Sequence, residues 1–377
     1  MQSATLVIDD NKDLLELMVR DSMQGPAIYR PGQFWQHYEE KHHSGLMEHS
    51  LRDLGRIGSA IDGGFGAEEN LPTFFEWHGS PLYQSNQGNP AFRKMVEDLN
   101  AVLKHCPDDP FLPYSLSLSS LRRGAARLAE AYGAMRNAKP LGEVTWRLFG
   151  NPTDVFEYRG KWFTYRALYY YMKYAFAAKH VNFDEVDVIV ELGAGAGRQA
   201  AMILDLYPHI TYLMFDIPTT LYFCHQFLQA VFPERVVGYE QARTMTSLDK
   251  IVPGKIYHFG SWQFPLLRGF RAPLFWNCQS FQEMEPSAVA NYTSIVEEFA
   301  DAAFLVHAMK GIEWDSTGVP LAVGPGANAG DYGTKYLPSF EVVEREKAYD
   351  VLGDDLGAGG VHDIFLKKRR SNGAAKS

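Results

Sequence analysis

Four residues in one stretch have the types and spacing to hold a cationic cofactor. Within Val186–Arg198 an acid, Glu191, stands just before a glycine triplet, Gly193, Gly195 and Gly197, with Ala194 inside it. Glycines let backbone approach a ligand closely and take angles that a Cβ forbids. Dinucleotide enzymes space them Gly-x-Gly-x-x-Gly and set a pyrophosphate on the next helix N-terminus. Here the spacing is Gly-x-Gly-x-Gly, and a carboxylate beside it would repel a pyrophosphate. It suits an ammonium or a sulfonium. About 20 residues past the triplet comes Asp216, at the offset of a carboxylate that binds ribose hydroxyls. Asp216-Ile217-Pro218 also has the form of a helix cap, and both roles suit the residue.

Strands and helices must position these groups. Val186–Val190 is a short apolar run, as in a strand buried on both faces of a parallel sheet. The helix Arg198–Tyr207 follows the glycines, then a second strand, Ile210–Asp216, and a helix, Thr219–Phe232. Arg235–Tyr239 is a strand or a connection. Lys255–Gly260, Ala272–Ser280 and Ala302–Met309 read as three more strands, with a helix over Ser287–Ala300. Ser339–Arg345 and His362–Lys367 close the sheet through a turn around Gly357–Gly360. The long loop Gly311–Pro338 carries Glu313, Trp314, Asp315, Asp331, Tyr332 and Tyr336 beside the end of a central strand, where loops of this length are usually functional. Trp314 is a candidate substrate contact.

The chain has 377 residues, a formal charge of −9 and three cysteines. The length suits two domains. Three widely spaced cysteines imply a reducing compartment without a disulfide framework or cysteine-based zinc site. The negative charge argues against nucleic acid. No 18-residue apolar run or signal peptide is seen, so a cytoplasmic protein away from membranes is expected. Residues 1–150 read as a mainly helical domain, with helices at Leu14–Arg20, Phe34–Glu40 extending through His49–Gly55, Phe92–Leu103 and Ser117–Met135. His42, His43 and His49 lack the ligand spacing of a metal site and read as solvated. Residues 151–180 form an aromatic connection, with a helix expected across Tyr158–His180. Lys367–Arg370 and the tail 371–377 read as a solvated, disordered end.

The Glu-x-Gly-x-Gly-x-Gly pattern resembles motif I of the class I S-adenosylmethionine-dependent methyltransferases. With Ser261-Trp-Gln263 and the run Trp276-Asn-Cys-Gln-Ser-Phe-Gln-Glu-Met284, it is similar to bacterial proteins grouped as sugar O-methyltransferases of natural-product biosynthesis. The likeness covers roughly residues 150–370, and Ser280–Met284 is its most specific element. The resemblance implies an α/β, Rossmann-like seven-stranded methyltransferase domain over 181–370 with S-adenosyl-L-methionine as cofactor. It places Glu191, Gly193, Ala194, Gly195 and Gly197 against the cofactor, Asp216 and Ile217 at its ribose, and Ser261, Trp262 and Gln263 at its adenine. Trp262 suits the core equally. Tyr165 or Tyr169 would roof the sulfonium with an aromatic face.

Methyl transfer to a hydroxyl benefits from a general base. Glu283, just beyond the fourth strand, is the first candidate. His307 competes, although a His within an apolar strand is commonly a core residue. Glu285 pairs with Glu283 or complements a helix dipole. Gln279, Ser280 and Tyr169 are candidate acceptor contacts. The leading acceptor is a sugar hydroxyl. The alternative is a small amine or guanidine such as arginine, held by Glu283 and Glu285. A nicotinamide oxidoreductase is disfavoured by the glycine spacing, and a non-catalytic scaffold by the intact motif. No metal is assigned, and a homodimer through the N-terminal helices is expected.

Overall fold

The computed structural model describes residues 6–51, 112–148, 155–309, 327–348 and 360–369. Asn11 starts α1 (Lys12–Gln24) by accepting the Leu14 N–H, and Leu14, Leu15 and Met18 lie on its buried face. After the Pro31-Gly32 break comes α2 (Gln33–Glu48), which stops before the predicted extension through His49–Gly55. The third helix, α3, spans Leu112–Ala134. The helix expected over Phe92–Leu103 lies outside the described residues.

A hairpin, β1 (Phe156–Tyr158) and β2 (Lys161–Phe163), occupies the start of the segment expected to be helical. Arg159 and Gly160 take φ values of 51° and 77°, which close a two-residue hairpin turn. Thr164 then caps α4 (Tyr165–Ala178), accepting the Ala167 N–H at 3.2 Å.

Seven strands form one mixed sheet, as expected of a class I methyltransferase domain. They are β3 (Val188–Leu192), β4 (Thr211–Asp216), β5 (Ile256–Gly260), β6 (Ala272–Cys278), β7 (Ala300–Ala308), β8 (Phe340–Lys347) and β9 (Val361–Lys368). Their order is β5-β4-β3-β6-β7-β9-β8, with β9 antiparallel to both neighbours. The helices are α5 (Arg198–Leu206), α6 (Pro218–Val231), α7 (Tyr239–Ala242) and α8 (Pro286–Phe299). Arg235–Tyr239 is a connection, with one bridge from Val236 to Ile256.

Period-two alternation divides the core. Ile189, Tyr212, Met214 and Phe304 face α4, α5 and α6. Val190, Leu213, Phe215 and Leu305 face the other layer, with Phe264, Tyr292 and Phe299. The N-terminal helices pack onto this sheet domain. α1 lies against α6, and Asp21 binds Arg243 through two bonds of 2.6 Å and Tyr239 through one of 2.9 Å. The Tyr222 hydroxyl donates to Asp10 at 2.6 Å and accepts the Asn11 N–H. At the far side, Lys173 of α4 and Asp363 of β9 form a buried pair at 2.7 Å. Among the described residues no helix is long and apolar enough to cross a membrane.

The first sheet strand runs through Leu192, beyond its predicted end, so Glu191 lies within it rather than after it. Alternation turns its side chain into the α4–α6 face, where Tyr212 donates to it at 2.9 Å. Burial pushes the Glu191 carboxyl up to about 8, against the lowering effect of the Tyr212 bond. A raised acid pKa means that the native state holds a proton the unfolded chain has released. The stability from this group is therefore full below its ordinary value of 4.5 and falls as pH rises toward about 8. Glu191→Gln keeps the acceptor for Tyr212 and removes the charge. We expect its Tm to match wild type near pH 5 and to exceed it by several degrees near pH 9, reflecting a few kcal/mol. Equal melting curves at both pH values would refute a buried, strained Glu191 charge.

Candidate active site

At β3 the sheet order reverses, with β4 on one side and β6 on the other, and ligands of such sheets bind beyond the strand ends at that point. A cleft of about 200 Å³ opens there. One wall is the turn after β3, with Leu192, Gly193 and Gly195, together with Asp216 and Ile217 from the end of β4. The other is Cys278, Gln279, Ser280 and Glu283, from the end of β6 and the single 3-10 turn Phe281–Glu283. Ser261 and Tyr292 add to it from the second layer, and Trp35 enters from α2.

The glycine turn has a specific shape. Gly193 sits at φ 76°, and a Cβ there would overlap the Ser280 side chain. At φ 54°, Gly195 would point a Cβ into open space, so its backbone is bared to the cleft. Asp216 fixes this turn. Its Oδ2 accepts the Gly195 N–H at 2.9 Å. Oδ1 accepts from the Ile217 N–H at 2.8 Å and the Thr220 hydroxyl at 2.7 Å. Burial pushes Asp216 up to about 6, and these bonds pull it back only in part. The N-cap of α6 is Ile217, with no side-chain cap bond, so Asp216 ties the start of that helix through the Ile217 N–H and the Thr220 hydroxyl rather than capping it, and it also lines the cleft.

The sequence candidates separate on this geometry. Gly193, Gly195, Asp216, Ile217, Ser261, Gln279, Ser280 and Glu283 converge on the cleft. Glu191 faces Tyr212 instead. Trp262 lies against Gly25 and Gly260, where added Cβ atoms would strike it. Gln263 is tied to its own loop, accepting the Gly260 N–H at 3.2 Å and donating to the Ala242 carbonyl at 3.1 Å. Gly197 begins α5, with Cys224 2.7 Å from where its Cβ would be. Tyr169 reaches the site through its hydroxyl, which donates to Gln279 Oε1 at 3.2 Å. The Tyr165 side chain and Trp314 lie outside the described residues, as do Glu313 and Asp315.

Both rivals of Glu283 sit elsewhere. His307 is buried in β7, donates from Nδ1 to the Ala308 carbonyl at 2.7 Å and packs on Tyr332. Burial pushes its imidazole down to about 4, so it stays neutral. Glu285 caps α8 with its backbone carbonyl, which accepts the Val289 N–H, and its side chain abuts Gly32. Tyr332 and Tyr336 belong to the core beneath β7 rather than to a substrate loop. His42 is buried among Trp35 and Tyr38 rather than solvated, because α2 turns that face inward. Among the described residues no group of three or more His, Cys, Asp or Glu could hold a metal.

Glu283 is half-buried by side-chain exposure, yet its carboxyl lies deep enough for burial to push it up to about 8. The Asp216 charge acts in the same direction, and the Trp35 indole, which lines the same cleft, acts against both. Trp35, Thr220, Met284 and Tyr292 also line the cleft and were not among the sequence candidates. Trp35 comes from a helix distant in sequence, and no local spacing announces it.

Residues 169–242, from α4 to α7, match the family model of the O-methyltransferase domain. No curated protein matches the chain. Among solved structures, mitomycin 7-O-methyltransferase MmcR shares 12% identity over 54% of this chain and 57% of its own, with a TM-score of 0.36. The pyocyanin biosynthetic protein PhzM shares 10% over 54% and 58%, with a TM-score of 0.35. The N,N-8-amino-8-demethyl-D-riboflavin dimethyltransferase RosA from Streptomyces davawensis shares 13% over 54% and 59%, also at 0.35. Each alignment thus spans under two thirds of its relative. The matched residues include the glycine turn, β4 and the start of α6, which form one wall of the cleft.

The cleft fits S-adenosylmethionine. The backbone at Gly195 is bare toward open space, and Asp216 and Glu283 line the walls with no lysine or arginine beside them among the described residues. Gly193, Gly195, Asp216, Ile217 and Ser261 would hold it. Asp216→Asn replaces one acceptor oxygen with an amide group that must face N–H donors. We expect S-adenosylhomocysteine to bind at least tenfold more weakly to this variant by calorimetry. Unchanged affinity would mean that the turn does not depend on the Asp216 charge.

Proposed function

We propose that the protein methylates a hydroxyl of a small sugar-containing natural product, with Glu283 as general base. The observation that carries this reading is a carboxyl in the cleft wall whose pKa lies near 8. A base is most effective when its pKa is close to the working pH. S-adenosylmethionine, when bound, supplies a methyl group already activated at a sulfonium. The protein's own work is to orient the acceptor, exclude water and take its proton. Glu283 accepts the proton that the hydroxyl loses. Gln279, with its Oε1 engaged by Tyr169, has its amide N–H groups left to donate to an acceptor oxygen. Its φ of 64° is a strained angle for a residue with a Cβ, of the kind that persists at binding sites.

A second reading takes a small amine or guanidine, such as arginine, as acceptor. The unneutralised carboxyls of Asp216 and Glu283 favour it. Glu285 is not among the residues lining the cleft, so the cation would rest on Glu283. The reading extends to a cytoplasmic homodimer through the N-terminal helices. Exposed Met23, Ile28, Met47 and Met135 on that part of the chain support self-association, which analytical ultracentrifugation tests.

Transfer of labelled methyl to two pools decides between acceptors. One holds deoxysugar glycosides and nucleotide sugars, the other amino acids and amines including arginine. We expect label in the sugar pool, a rate that rises with pH and levels above about 8, and a loss of roughly 100-fold or more in Glu283→Gln. Label confined to the amine pool would overturn the sugar reading.

A further inference from the structure

We propose that Tyr169 is a positioning residue that makes the cleft choose an oxygen acceptor over a nitrogen one: its hydroxyl holds the Gln279 amide with the N–H groups turned to the cleft. The proposal rests on the sugar-hydroxyl reading of this site and names what in the chain enforces it.

The Gln279 backbone is pinned. Its N–H donates to the Val306 carbonyl at 2.8 Å, and its φ is 64°. The next two residues are held by Asn277, which donates to the Ser280 hydroxyl at 2.9 Å and accepts the Phe281 N–H at 3.2 Å. Only the side chain is left to turn, and Tyr169 of α4 settles how. Its hydroxyl donates to Gln279 Oε1 at 3.2 Å. The Tyr169 ring is buried, and Tyr170 meets it edge-on at 5.6 Å. Lys173, one helical turn on, holds its ammonium 4.7 Å from the Tyr169 ring centroid. That ammonium is anchored to Asp363 of β9 at 2.7 Å, and both side chains are buried. An ion pair in a core is commonly no gain in stability over apolar packing. Here it has a use. A cation over an aromatic ring is attracted to it and draws electron density from it. The phenol hydroxyl then donates more strongly and accepts less well. An amide fits either way round in space, and a hydroxyl disposed to donate takes its carbonyl end.

The consequence falls on the acceptor. Gln279 lines the cleft, and with its oxygen engaged its amide has only N–H donors to offer. Among the described residues nothing else binds that amide. A hydroxyl oxygen has two lone pairs. One forms the bond to the methyl carbon as the carbon–sulfur bond of the cofactor breaks, and the hydroxyl proton passes to Glu283. The second lone pair accepts from Gln279. An amine nitrogen has a single lone pair, which the methyl needs, and an ammonium or guanidinium has only donors. Such a group sets N–H against N–H and leaves the Gln279 donors unpaired, which is costly in a closed site. Gln279 thus counters the pull that the Asp216 and Glu283 carboxyls exert on a cation. Tyr169 is what turns it that way.

Tyr169→Phe keeps the ring beside Lys173 and loses the donor. With labelled methyl and the sugar and amine pools mixed, the ratio of sugar to amine product should fall roughly tenfold or more in this variant. S-adenosylhomocysteine should bind it as it binds the wild type by calorimetry. Gln279→Glu leaves Tyr169 in place and replaces the N–H groups with a carboxylate oxygen. It should shift the ratio the same way, so the selectivity is tested even if the phenylalanine variant folds poorly. The amide itself is read without any acceptor. The Gln279 side-chain 15N signal, assigned by its loss in Gln279→Glu, should move upfield in Tyr169→Phe as its carbonyl loses a donor. An unmoved signal overturns the proposal. So does a shift confined to one of the two amide protons, which would mean that Tyr169 accepts rather than donates. A product ratio unchanged in Tyr169→Phe or in Gln279→Glu also overturns it. If the amide signal moves as expected while the wild type labels amines alone, the sugar-hydroxyl reading is what has failed, and the selectivity assigned to Tyr169 falls with it.

Discussion

The Asp216 carboxylate is where the site is held together. It stands at the end of β4 but binds the amides of the turn after β3 and the first residues of α6. A buried charge is costly unless it is richly hydrogen-bonded. Two of these donors, Gly195 and Ile217, are backbone amides at a turn and a helix start, where amides lack partners of their own, and the third is the Thr220 hydroxyl. One side chain thus satisfies orphaned amides on two elements and sets the angle between them. The shape of the glycine turn follows from this bond set as much as from the glycines. Without it, the backbone of Gly195 has nothing to hold it open toward the cleft.

Much of the sheet domain was legible because its signals are local. The apolar runs of β3 to β7, the two closing strands, the glycine triplet and the acid ending β4 all report on residues near them in the chain. Failures occurred where the deciding partner is remote or a boundary moved by one or two residues. Glu191 lies on the Ile189 face of β3 against Tyr212 of the neighbouring strand, away from the cleft, and that partner is 21 residues away in sequence. His307 and Tyr332 looked available because the sequence does not reveal that they pack on each other. The hairpin before α4 was hidden by aromatics that suit a helix or a strand. Gln263 shows the same limit at short range, since its amide closes a loop that the sequence alone leaves open.

The N-terminal helices illustrate a further kind of illegibility. Their own amphipathic patterns announce helices and nothing more. That α2 enters the cleft depends on Glu39 finding Thr219, on Gly32 allowing Glu285 to approach, and on Tyr29 meeting Ser261. The acids around this roof, Glu39, Asp216 and Glu283, all have carboxyls pushed upward by burial. A cleft built this way favours a positively charged occupant and is least comfortable without one.

The tie between Asp21 and Tyr239, 218 residues apart, has a consequence for how the chain is made. α1 leaves the ribosome before the sheet does, and Arg243 and the α6 face it covers emerge only after β4 has been synthesised. Until then Leu14, Leu15 and Met18 lack the α6 surface they bury against. Contacts this distant in sequence carry a large loop-closure cost and form late. This early-made helix is therefore among the last to settle, and the cleft acquires its roof only once the sheet beneath it stands. During that interval part of the apolar face of α1 stays uncovered, as in other late-docking segments.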